Sequence, residues 1–302
     1  MPFGHWPDGR GAGLVRPFPP SRNARKQALP SSATHRGISP VLALAAIAAA
    51  HGHAAAGLND AGAEESMMTA ESPAPAMPAD MQHAPLPALD LSAMRMGGRQ
   101  GPWRASNWAS AFSGVPWRYD RIRQQPDGAT LFHLDRHGAP ELQGIWKRAH
   151  KKGLWEVDVT LPQEAPGLAI APLWLYNPAS RDEIDFEIVG TRGLQVNIHS
   201  FASGKHAETP VLLPGTTGWS GRRVRFAIRT DIDAGEIDLL VDGVVVHSYR
   251  RDSDPDAFPV TALTPMISMW PAKRRLDWAE SWLGKWRGEP ATMVVHGYRF
   301  TP

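Results

Sequence analysis

Residues 182–187 read Asp182-Glu183-Ile184-Asp185-Phe186-Glu187. On an extended chain successive side chains point to opposite faces, so Glu183, Asp185 and Glu187 share one face and Ile184 and Phe186 the other. A buried strand face wants apolar side chains, and burying three neighbouring acids without partners costs several kcal/mol. The row therefore predicts a strand with its apolar face in a core and its acidic face lining a water-filled cleft.

Geometry narrows the chemistry. A strand rises about 3.3 Å per residue, which separates the Cα atoms of Glu183 and Glu187 by roughly 13 Å. Leaning together, the two carboxyl groups reach a spacing of about 5–6 Å, near that of a nucleophile and a general acid/base flanking one glycosidic bond. Asp185 between them can share a proton with a neighbour and push the flanking pKa values apart, keeping one Glu protonated and the other ionised. Acids alternating with apolar residues also describe any solvated strand of a sandwich. Glu236-Ile237-Asp238 repeats the opening of the pattern but has Leu240 where a third acid would stand, just before the turn Asp242-Gly243, and reads as structural.

The chain has 302 residues, 42% hydrophobic and 21% charged, enough to bury a core in one large domain or two small ones. It has no cysteine, which excludes a disulfide framework, thiolate catalysis and Cys-based zinc sites. Residues 1–56 form a leader with six Lys or Arg and one acid, Asp8, before position 40, then an Ala-rich apolar run, Ile38 to Ala50. That order resembles a secretory signal, and the apolar run is too short to span a bilayer, so a secreted or periplasmic location without stable membrane insertion is expected. Residues 57–99 are rich in Pro, Ala, Met and Ser and read as a disordered linker. Residues 100–302 are the expected catalytic domain. With the six bases and Asp8 set aside, acids outnumber bases by three in the rest of the chain, so nothing favours a nucleic-acid partner.

From residue 100 onward, short β-branched and aromatic runs alternate with Gly, Pro, Asp and Asn turns, and helical periodicity is nearly absent. Ten strands are predicted: 130–134, 154–161, 173–176, 184–189, 194–199, 224–229, 236–241, 244–249, 266–270 and 292–300. The expected fold is all-β, a sandwich of two antiparallel sheets. Eleven of the twelve Trp residues fall in this domain, with Trp270, Trp278, Trp282 and Trp286 close together. Some belong to the core; one or two of the four are expected in a cleft, where indole rings stack on sugar faces.

From about Asn107 to Phe300 these residues resemble the family 16 glycoside hydrolases, among them the bacterial licheninases and the xyloglucan transglycosylases. DEIDFEIVG resembles the unbulged E-I-D-x-E signature, GLWEVDV the strand before it, LQVNIH the strand after it, and SWLGKW a loop near the C-terminus. The resemblance implies a concanavalin A-like β-jelly-roll with a concave substrate cleft, cutting internal β-glycosidic bonds with retention of configuration. It implies Glu183 as nucleophile, Glu187 as general acid/base and Asp185 as the nucleophile's hydrogen-bond partner. Gln195 and Asn197 match polar contacts from the next strand, Trp174, Trp270 and Trp282 match aromatic subsite positions, and His199 is a further candidate for the cleft, though a lone strand His is more often structural. A basic residue near the nucleophile falls on Lys147 or Arg148. Arg181 replaces an aromatic residue and Ser268 an Asn, so the sugar contacts have changed. His296 stands where licheninases carry a calcium-binding Asp, so no such calcium is expected, and no metal or cofactor is implied.

There is no G-x-S-x-G, H-E-x-x-H, G-x-G-x-x-G after a strand, or P-loop. The function expected is a retaining endo-β-glucanase of the licheninase kind, acting on a β-glucan or exopolysaccharide. A transglycosylase with the same machinery and a non-catalytic carbohydrate-binding sandwich are the alternatives. The polysaccharide is the expected partner, and the sequence carries no signal of oligomeric state.

Overall fold

The computed structural model describes residues 84–91, 102–145 and 148–302, all within one compact unit. The expected leader and most of the expected linker lie outside the described residues. Among the described residues, fifteen strands form two sheets. The first runs, in spatial order, β1 (Trp103–Ala105), β4 (Glu141–Gly144), β14 (Thr264–Pro271), β6 (Leu168–Tyr176), β7 (Glu183–Val189), β8 (Leu194–Ser200) and β10 (Val211–Leu212), with β9 (Ala207–Glu208) also paired to β8. The second runs β13 (Val244–Arg250), β12 (Glu236–Val241), β11 (Arg223–Asp231), β5 (Lys152–Thr160), β15 (Ala291–Thr301), β3 (Thr130–Leu134) and β2 (Ile122–Gln124). Every pairing between these strands is antiparallel. All ten predicted strands are present, and the architecture is the jelly-roll sandwich the sequence implied.

Alternation decides which way each strand faces. On β7, Ile184, Phe186 and Ile188 are fully buried between the sheets, and the Phe186 ring lies 5.1 Å from that of Phe226 on β11. Burying a side chain of that size stabilises by roughly 2–3 kcal/mol. Strand β6, Leu-Ala-Ile-Ala-Pro-Leu-Trp-Leu-Tyr, is buried along its whole length, which is why it extends back to Leu168 instead of starting at Leu173. The β12–β13 hairpin turns on Asp242 and Gly243 at φ 48° and 80°, the positive values that an Asp-Gly turn supplies.

On the second sheet the acids are held by arginines. Glu156 pairs with Arg299, and Asp158 takes both Nε and Nη2 of Arg223 at 3.0 and 2.8 Å. Asp238 accepts from Ser248 Oγ at 2.7 Å, Arg229 Nη2 at 2.7 Å and Arg250 Nη1 at 3.0 Å. Burial alone would raise the Asp238 pKa, but these three partners outweigh it and hold the carboxyl below its ordinary value. The Glu236-Ile237-Asp238 repeat is thus structural, as read.

Two features depart from the sequence reading. Residues 84–91 fall inside the expected linker, yet Leu86 and Leu89 are buried against the sandwich. Pro87 O accepts from Tyr298 N–H at 2.8 Å, beyond the point where β3 stops covering β15, and Leu89 O accepts from Gln124 Nε2 at 2.8 Å. Two leucines three residues apart bury enough surface to fix a Pro-rich strap along an open sheet edge. The second departure is a helix, α1 (Asp277–Leu283), inside the Trp-rich loop. No described helix is long and apolar enough to cross a membrane.

Candidate active site

The face of β7 opposite the core opens into a cleft lined by Glu141, Trp174, Glu183, Asp185, Glu187, Trp270 and their neighbours. Register places the rest. Across β7–β8, Glu183 faces His199, Asp185 faces Asn197 and Glu187 faces Gln195; across β6–β7, Asp185 faces Trp174 and Glu183 faces Tyr176. The period-2 alternation of three strands therefore converges two kinds of groups on one surface, acids from β7 and aromatic or amide side chains from its neighbours.

Hydrogen bonding separates the acids of this segment. Asp182, fully buried at the start of the strand, accepts from Ser200 Oγ at 2.8 Å, Val260 N–H at 3.1 Å, and Thr261 N–H and Oγ1 at 2.9 and 2.6 Å. It clamps a loop to the sheet. One residue on, Glu183 Oε2 is buried with no hydrogen-bond partner in the protein, and so are both oxygens of Asp185. His199 Nε2 lies 3.3 Å from Asp185 Oδ2. Trp174 Nε1, Tyr176 Oη and Asn197 Oδ1 are likewise buried and unpartnered within the protein. Buried polar atoms are almost always paired, so a cluster of exceptions in a cleft marks where a polar ligand belongs.

The same crowding sets the electrostatics. Burial pushes Glu183 well above the usual carboxylate range, with further push from Asp185, Glu187, Glu141 and Glu208. Burial also raises Asp185, aided by Glu208, and Glu187, aided by Asp185 and Glu208. The three acids therefore hold protons more tightly than isolated carboxyls, the condition under which one of a pair stays protonated while its neighbour ionises. Tyr176 is raised by burial and by Glu183, which keeps its phenol a donor.

The residues expected from sequence fall into three groups. Trp174 and Trp270 line the cleft with Ser268 beside them. Gln195, Asn197 and His199 stand buried on β8 directly across from the acids. Trp282 sits on α1 and acts one step back: its Nε1 donates to Gln195 Oε1 at 3.2 Å, and its ring lies 5.8 Å from Trp270. Lys147 lies outside the described residues. Arg148 is exposed and is not among the residues that line the cleft. Arg181, at φ 65°, stacks its guanidinium 3.5 Å over Phe201.

Glu141 was missed. It lies on β4, paired to Ser268 of β14, and its Oε1 accepts from Ser106 Oγ and from Gln143 Nε2, the latter at 2.9 Å. Burial raises its pKa despite those bonds. Its only sequence signal is the short Glu-Leu-Gln alternation of β4. Phe112 and Trp117, from the loops before β2, also line the cleft.

Glycines position the Trp-rich loop. Gly190, at φ 57°, turns the chain between β7 and β8, and a Cβ there would strike Leu283 O at the end of α1. Gly167, at φ 81°, donates its N–H to Leu283 O at 2.6 Å and leaves no room for a side chain against the backbone of Trp286. Both contacts bring α1 down on the sheet, which sets Trp282 over Gln195.

A jelly-roll whose sheet carries a row of unpartnered carboxyls, flanked by indoles, in an open cleft has the architecture of a glycoside hydrolase. The family model for glycosyl hydrolases family 16 matches residues 103–288, and the chain belongs to that family. An endo-1,3-1,4-beta-glycanase, ExoK, of Rhizobium meliloti (strain 1021) is 28% identical over 142 residues, 46% of this chain and 49% of that protein. The match thus spans about half the length of this relative. Among solved structures, a Bacillus licheniformis beta-glucanase shares the fold with TM-score 0.54 at 20% identity, over 68% of this chain and 94% of that one. A lichenase derived from a mouse hindgut metagenome superposes with TM-score 0.54 at 19% identity, over 68% and 95% of the two chains.

Proposed function

We propose that the protein is a retaining endo-β-glycosidase of the licheninase kind, cleaving internal β-glucosidic bonds of a β-glucan or exopolysaccharide by double displacement. The observation that carries this reading is the contrast within one strand: Asp182 is saturated with donors, while Glu183, Asp185 and Glu187 face the cleft with almost none. Glu183, the more buried Glu, attacks the anomeric carbon, and the bond from that carbon to the leaving oxygen breaks as Glu187 gives that oxygen its proton. Glu187 is only partly buried, which suits a group that must then take a proton from an incoming water. The water oxygen bonds to the anomeric carbon and Glu183 leaves as a carboxylate. Asp185 stands between them to exchange a proton with Glu183. Trp174 Nε1 and Tyr176 Oη supply donors to sugar hydroxyls, and Trp270 a stacking surface.

A sugar hydroxyl in place of that water would make the same machinery a transglycosylase; the products distinguish the two. A secreted or periplasmic location fits a polymeric substrate and rests on the leader composition. The test is hydrolysis of a panel of β-glucans, galactans and exopolysaccharides by wild type, Glu183→Ala and Glu187→Ala, with the anomer first released read by NMR. Loss of about 10²–10⁴ in rate in either variant and release of the β-anomer are expected. Wild-type rates in Glu183→Ala, or release of the α-anomer, would overturn the assignment.

A further inference from the structure

Beside the carboxylate row lies a second cluster that the hydrolytic chemistry does not use. His199 on β8 is the register partner of Glu208 on β9, and His206 stands two residues before Glu208, so all three share one face of this short antiparallel pair. His199 Nδ1 lies 3.1 Å from His206 Nε2 and 3.4 Å from Glu208 Oε2, and one donor atom from each residue lies within 4.8 Å of the other two. A tetrahedral zinc ion with bonds of about 2.0–2.1 Å sets its ligand atoms roughly 3.3–3.4 Å apart. Two of the three edges, both from His199 Nδ1, are therefore already near the length such a shell requires, and the third is within 4.8 Å.

We propose that His199, His206 and Glu208 bind one zinc-class divalent cation at the edge of the cleft, with a fourth position left to water. The donor set favours zinc or a neighbouring transition metal over calcium or magnesium, which seek oxygen ligands. Two further observations support it. His206 is held in place by a stacked column: Arg181 over Phe201, Phe201 against His206 at 4.9 Å, and His206 against His199 at 5.4 Å. The other nitrogen of His199, Nε2, lies 3.3 Å from Asp185 Oδ2. A metal-binding histidine typically gives its remote N–H to a carboxylate, which fixes the tautomer, and Asp185 stands where that partner belongs.

The metal then has a consequence for the site. Coordination at Nδ1 requires the proton on Nε2, which donates to Asp185. Asn197 Nδ2 lies 2.9 Å from Nε2 and 3.3 Å from Glu208 Oε2. A half-turn of this amide removes the donor that faces Nε2–H, which Asp185 Oδ2 and the amide oxygen then share, and frees Glu208 of its hydrogen bond to Asn197. Metal binding thereby turns a donor toward Asp185, a coupling that rests on the hydrolytic reading above, whereas the site itself does not. The His-x6-His-x-Glu spacing matches no metal motif read from the sequence; only the pairing of β8 with β9 assembles it.

The test is calorimetric titration of the metal-free full chain with Zn²⁺ and, in parallel, Ca²⁺, with imidazole nitrogens followed by NMR. Expected are one Zn²⁺ per chain, no Ca²⁺ at these residues, and a shift of His199 Nδ1 on saturation. Asp185→Asn should weaken Zn²⁺ binding by roughly 10–100-fold, as loss of an outer-shell partner does, and His206→Ala and Glu208→Gln by more. His206 and Glu208 are partly exposed, so both variants should keep the fold, checked by circular dichroism. Absence of saturable Zn²⁺ binding in the wild type, or unchanged affinity in His206→Ala, overturns the proposal. Zinc binding without cleavage of any polysaccharide would leave the metal site standing and remove the hydrolytic reading instead.

Discussion

Replacing Asp185 with Asn should make this protein more stable at neutral and alkaline pH while it loses activity. Asp185 is 2% exposed, neither oxygen has a hydrogen-bond partner, and His199 Nε2 stands 3.3 Å from Oδ2. A buried acceptor left without a donor costs about 1–3 kcal/mol, and an amide removes the charge while offering an N–H₂ to the flanking carboxylates. The gain expected is therefore about 1–3 kcal/mol, and each kcal/mol moves the melting temperature of a domain this size by about 2–4 °C. The sign with pH follows from the direction of the shift. The folded-state pKa of Asp185 lies above its unfolded value, so its penalty is absent at low pH, grows as pH rises, and is complete above the folded pKa. Unfolding curves of wild type and Asp185→Asn should separate near about pH 8 and converge near about pH 4. An Asn variant less stable than wild type across that whole range would mean that the carboxylate has strong donors in the folded protein, and would refute the argument that the cleft acids are unpartnered.

Three other outcomes follow from the same packing and charge arrangement. Phe186→Ala, on the core face of β7, should cost about 3–5 kcal/mol in urea unfolding because its fully buried ring packs on Phe226; a cost below about 1 kcal/mol would contradict the facing assigned to that strand. Trp174→Phe removes an indole N–H that has no partner in the protein, so it should raise KM for the polysaccharide while leaving the melting temperature nearly unchanged; an unchanged KM would take Trp174 out of the subsites. Asp238→Ala should destabilise by about 1 kcal/mol, discounted because Arg229 and Arg250 are partly exposed. Its folded pKa is depressed, so that contribution is present above the ordinary carboxylate range and lost as pH falls through the folded value; a difference from wild type that persists in strong acid would rule out the ion pairs as its source.

What the sequence made legible was whatever alternation could encode. Strand β7 could be placed, faced and assigned chemistry because its two faces differ in kind, and all ten longer runs proved to be strands. Strands β1, β2, β4, β9 and β10 span two to four residues each, too few for a period of two to stand out, and with them Glu141, His206 and Glu208 stayed out of view. Helix α1 carries no side-chain cap at Leu276, so its start signal is missing; it forms because Gly167 and Gly190 let it sit against the sheet. The strap at 84–91 looked like linker because Pro-rich composition hides two leucines, whose value depends on an uncovered edge of β15 that only the fold creates.

The two sheets share one pattern of acids alternating with apolar residues and use it in opposite ways. On the second sheet each of Glu156, Asp158 and Asp238 meets at least one guanidinium, and the row becomes a cross-strand brace. On β7 the cross-strand positions carry Tyr176, Trp174, Gln195, Asn197 and His199, so the acids meet aromatic rings and amides, with no arginine across from them. Burial, with the uncompensated repulsion of neighbouring carboxylates added to it, then raises the proton affinity of Glu183, Asp185 and Glu187, which suits the acid catalysis proposed for them. The strand can bear this because Asp182 anchors its start with four hydrogen bonds and Ile184, Phe186 and Ile188 anchor its back. The proposed catalytic row is thus recognised less by its carboxylates, which both sheets possess, than by the residue types its neighbouring strands place opposite them.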